Sequence, residues 1–138
     1  MAGYSGTPLA TKLGIKPGDR VVLLGAPTGF DTVWPEGVRI RTRLGRRAVS
    51  APAADVILFF TTVRAEIEKQ IERLGEAVRP NGAVWIGWPK KASRVPTEVN
   101  DHVVRDVALP LGLVDTKVCA IDDTWTGLKL VWRRSARG

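Results

Sequence analysis

Two adjacent lysines, Lys90 and Lys91, close an apolar run, and small polar residues recur at equivalent points: Thr28 and Gly29 after one apolar run, Thr61 after another, Ser93 just past the lysines. Ammonium groups, hydroxyls and open backbone N–H groups gathered on one rim suit a phosphate or carboxylate. With Trp88, these residues form a candidate ligand-binding rim. The same segment also reads as a solvated polar loop with no ligand. A second cationic group alternates along the chain, with Arg39, Arg41 and Arg43 facing away from Val38, Ile40 and Thr42, and Arg46 and Arg47 extending it. Such a stripe can contact nucleic-acid phosphates, or it can keep a sheet edge from pairing with other chains.

Other chemistry finds little support in the residue pattern. There is no Gly-x-Ser-x-Gly, no His-Glu-x-x-His and no phosphate loop ending in Gly-Lys. His102 has no ligand-type partner at metal spacing and reads as a surface residue, so no metal is expected. Asp122 and Asp123 are neighbours that point apart on an extended chain, which suits a hairpin turn better than an acid/base pair. The single Cys119 lies in a strand-like run and reads as a buried, inert thiol. Trp85 and Trp88, three apart on an extended chain, face opposite sides and read as packing residues. Catalytic residues are therefore not assigned.

The elements that would hold the rim follow from periodicity. Thr7-Pro8 reads as a helix start and Gly14 as its end. Arg20 to Gly25 is a buried strand running into a glycine turn, Val38 to Leu44 an alternating edge strand of undetermined direction, and Ala54 to Phe60 a third strand. Thr62 is placed to cap a helix whose Val63, Ile67, Ile71, Leu74 and Val78 form one stripe. The turn at Pro80-Asn81-Gly82 leads into a central strand ending at Pro89, completing a parallel βαβ unit. A further helix after Pro96 carries Val99, Val103, Val104, Val107 and Ala108 on one side, with His102 pointing away. Two last strands, Asp115 to Ile121 and Leu128 to Arg133, form an antiparallel hairpin. The expected fold is α/β: a reduced Rossmann-like three-layer sandwich around a mostly parallel sheet of about six strands, in a single domain over residues 1–138. In such sheets ligands lie beyond the carboxyl ends of the strands, where the candidate rim falls.

Ile15 to Ala26, the Ala54 to Phe60 strand, Val78 to Val84 and the final hairpin resemble the first, fourth, fifth and last strands of class I S-adenosylmethionine-dependent methyltransferases. That resemblance implies a Rossmann-like fold and a cofactor site at the first loop. Leu24 stands where the family carries an acidic residue, Pro27 where it carries a glycine, and Arg43-Leu44 where it carries the carboxylate that grips the ribose. The helices that roof the adenosine are largely missing. The S-adenosylmethionine site therefore looks degenerate, and no cofactor is expected. Gly3 to Ala10, Trp88 to Ser93 and Leu109 to Asp122 also resemble a family of short, mostly actinobacterial proteins of unknown function, a likeness that carries no activity.

Composition bounds the partners. The chain has 138 residues, 44% of them hydrophobic, and a net charge of +7. No apolar run approaches the ~20 residues needed to span a bilayer, and the first residues lack the apolar core of a secretory signal, so a cytoplasmic protein is expected. The basic balance admits anionic metabolites, acidic proteins and nucleic acid. The expectation is a non-enzymatic module for an anionic ligand or acidic partner. The alternatives are a divergent methyltransferase-like enzyme and, behind it, a nucleic-acid binder.

Overall fold

The computed structural model describes residues 8–28, 30, 32–44 and 53–136. Its strands are β1 (Arg20–Leu24), β2 (Arg39–Arg41), β3 (Val56–Phe60), β4 (Ala83–Pro89), β5 (Leu113–Ala120) and β6 (Trp125–Trp132). They form one six-stranded sheet in the order β2-β1-β3-β4-β6-β5. The first four run parallel, which settles the direction of β2, and β6 is antiparallel to both β4 and β5. The helices are α1 (Leu9–Lys12), α2 (Arg64–Val78) and α3 (Asp101–Ala108). One core unites Ile67, Ile71, Leu74 and Val104 of α2 and α3 with Ile57, Ile86 and Trp88, and the other unites Ala10 and Leu13 with Leu58, Phe60 and Trp85. The sheet is thus covered on both faces, α2 and α3 on one side and α1 on the other.

The centre is what the sequence pattern demands. All residues of β3 and β4 are buried, as continuous apolar runs require when both faces are covered. They lie side by side in register from Val56↔Ala83 to Phe60↔Gly87, joined by α2. Trp85 and Trp88 fall in different cores, so they do face opposite sides. The Trp85 indole donates to the Leu13 carbonyl at 3.0 Å, which ties the end of α1 to the sheet. Arg105 of α3 reaches Asp101 at 2.9 Å and Asp115 at 3.0 Å, fastening α3 to β5.

Several boundaries differ from the sequence reading. The edge strand spans only Arg39–Arg41; among the described residues it pairs with β1 alone, and Ile40 remains 38% exposed. Thr62 does not cap α2. The Thr61 hydroxyl accepts the Val63 N–H at 3.1 Å instead, while the Thr62 carbonyl accepts the Glu98 N–H at 2.9 Å. Thr7 lies outside the described residues, and α1 is only four residues long, with Pro8 at its N-cap. Helix α3 starts at Asp101, where the Asn100 side chain accepts the Val103 N–H at 2.9 Å. The hairpin strands are longer than expected and their connection shorter, because Asp122 Oδ1 accepts the Thr124 and Trp125 N–H groups at 2.8 and 2.7 Å and tightens the turn. His102 is exposed and Cys119 is buried, as expected.

Candidate anion-binding rim

At the carboxyl edge, β1, β3 and β4 end at Leu24, Phe60 and Pro89, and the chain leaves each by a different device. Beyond β1, Gly25 sits at φ +68°, and a Cβ there would come within 2.6 Å of the Phe60 carbonyl oxygen. Only glycine combines that backbone conformation with that approach. Phe30 then packs on Phe60 at 5.3 Å, and Trp125 meets the same ring edge-on at 5.5 Å. The loop after β1 is thereby held against the end of β3.

Beyond β3, Thr61 is buried at 4% exposure. Its hydroxyl donates to Glu66 and accepts from Val63, so it is spent on the entry to α2. The first helical N–H, that of Arg64, is taken by the Glu98 carboxylate at 3.0 Å. An intramolecular carboxylate thus occupies the place where a helix N-terminus would favour an external anion.

Beyond β4 the chain makes a short turn clamped from two sides. The Lys90 N–H donates to the Thr124 carbonyl at 2.8 Å, linking the turn to the β5–β6 hairpin. The Ser93 hydroxyl donates to the Lys90 carbonyl at 2.7 Å and accepts the Val95 N–H at 3.2 Å. Arg94 follows in the left-handed region at φ 63°. Lys90 is half-buried, and Lys91 and Arg94 are exposed. Among the described residues none of these three cations has an ion-pair partner.

The candidate residues therefore divide. Thr61 and Ser93 build the loops, and Trp88, 7% exposed, packs in the core with Val99 and Val104. Lys90 and Lys91 share one turn. Thr28 is exposed beyond β1, on the far side of β3 from them, about two strand spacings or ~10 Å away. Gly29, Arg46 and Arg47 lie outside the described residues. Arg39, Arg41 and Arg43 are exposed on and after the edge strand, separated from β4 by two intervening strands, β1 and β3. Arg94, three residues past Lys91, closes the same turn as the lysines.

No family model and no curated protein matches the chain. A solved structure does: a SAM-dependent methyltransferase from Aquifex aeolicus superposes with a TM-score of 0.64 over 88% of this chain and 86% of that one, at 15% identity. The fold is methyltransferase-like. At that identity the likeness speaks to the methyltransferase-like architecture and not to the chemistry. Among the described residues no helix is long and apolar enough to cross a membrane, and no cluster of His, Cys, Asp or Glu could hold a metal ion.

Proposed function

We propose that this chain is a binding module that uses a methyltransferase-like scaffold to hold an anionic ligand, a phosphate or carboxylate group, at the turn after β4. The observation that carries this reading is the set of cations, Lys90, Lys91 and Arg94, without an ion-pair partner among the described residues, on a turn fixed by the hairpin and by its own serine. A preordered backbone lets side-chain cations engage an anion at lower entropic cost. The residues around β1 and β2 do not fit S-adenosylmethionine. Leu24 and Arg41 end the two strands, and Arg43-Leu44 stands just beyond β2 where a carboxylate would accept from a ribose. No step is therefore assigned to that cofactor.

Calorimetry with tripolyphosphate as the anionic probe tests the proposal. Replacing Lys90 and Lys91 together by alanine is expected to weaken binding by roughly tenfold or more, equivalent to ~1.4 kcal/mol. Unchanged affinity would overturn it. The structural likeness favours a second reading, a divergent S-adenosylmethionine-dependent enzyme; micromolar binding of S-adenosylmethionine would establish that reading in place of the first.

A further inference from the structure

The opposite edge of the sheet holds a cavity of about 440 Å³, open to solvent between the turn after α1 and the turn that joins α2 to β4. Helix α1, four residues long, ends beside it at Leu13 and Gly14. Its volume falls in the range of small-molecule sites, ~300–1,000 Å³.

The charges around it are unevenly committed. Two carboxylates in the lining are already engaged: Asp55 accepts from the Arg20 side chain at 3.2 Å and from its N–H at 2.8 Å, and Asp19 accepts the Lys16 N–H at 2.8 Å. The two ammonium groups in the lining, Lys16 and Lys129, have no ion-pair or hydrogen-bond partner among the described residues. Lys129 is half-buried within the sheet, in register with Trp85 on one side and Lys117 on the other. Its ammonium lies over Gly14, 3.5 Å from where a Cβ would stand. Lys117 is tied to the end of α1 by a 3.3 Å bond to the Lys12 carbonyl and adds positive charge alongside. Asn81 adds a polar side chain to the wall, and Pro80 and Val131 supply its accessible apolar part.

We propose that this cavity binds a small organic acid, its carboxylate between Lys129 and Lys16 and its apolar body against Pro80 and Val131. The site is separate from the lysine turn after β4 and does not depend on it. Hexanoate binding, measured by calorimetry on the full chain, tests the assignment. Hexanoate is expected to bind; Lys129→Met, which keeps length and removes charge, is expected to weaken it by roughly tenfold or more. Val131→Phe, which fills the apolar half and leaves the charges alone, should also abolish binding and serves if the methionine variant does not fold. The Lys90 and Lys91 double alanine variant should bind hexanoate as the parent does. Hexanol and inorganic phosphate, each lacking one half of the ligand chemistry, should bind at least about tenfold more weakly than hexanoate. Failure of hexanoate to bind at millimolar concentration, full affinity in Lys129→Met, or equal affinity for hexanol would each overturn the proposal.

Discussion

Thr61 shows how a side chain that looks available for a ligand is spent on the fold. Its hydroxyl joins the Glu66 carboxylate to the Val63 N–H at the start of α2, in a position 4% exposed. Thr61→Val keeps the shape and strands both partners, so it should cost about 1–3 kcal/mol in denaturant unfolding and leave tripolyphosphate affinity unchanged. Gly25→Ala forces a Cβ into the Phe60 carbonyl at a positive φ, and a loss of about 1–3 kcal/mol is expected in the same measurement. Asp55 carries a pH prediction. Burial alone would push its carboxyl up, but the hydrogen bonds and charge of Arg20, with the charge of Arg39, bring it below the usual carboxylate range. A carboxyl depressed in the folded state contributes stability above its unfolded pKa and loses it as pH falls through the folded value. Because both side chains are more than a third exposed, the contribution is modest, about 0.5–1 kcal/mol. Asp55→Asn should lower the melting temperature at neutral pH, and its difference from the parent should vanish in acid below the usual carboxylate range.

At the scale of elements, what could be read in advance was whatever has a strong period. Helix α2 was legible because Ile67, Ile71, Leu74 and Val78 recur at helical spacing, and all four are buried. Ile71→Ala should therefore cost about 2–5 kcal/mol by chemical denaturation. The pair β3 and β4 was legible because each is an unbroken apolar run. The edge strand was less so: alternation over seven residues suggested a longer strand, but among the described residues only Arg39–Arg41 pair, with β1. The caps fell one residue later than spacing suggested: Val63 stands at the N-cap of α2 and Pro8 at that of α1, and neither helix start has a side-chain cap. At Gly87 a Cβ would lie 3.1 Å from the Phe60 ring, a packing constraint invisible in a run of apolar letters.

For the whole molecule, the net charge of +7 draws anions to every face, so location is what gives a binding claim content. The topology rule for open α/β sheets pointed to the carboxyl edge, where Lys90 and Lys91, adjacent in sequence, follow β4. It scattered the other candidates, because hydroxyls near strand ends are as useful for closing loops as for holding ligands. The amino-edge cavity was not legible at all, since Lys129 reads as an ordinary polar position in a hairpin strand.

Amide chemical-shift mapping of the full chain during a tripolyphosphate titration tests the central claim most directly. Saturable shifts are expected to concentrate on the turn from Lys90 to Val95 and on Thr124, whose carbonyl anchors it. Shifts centred instead on Arg39 to Arg43, or on Gly14, Gly82 and Lys129 at the opposite edge, with the lysine turn unmoved, would contradict it.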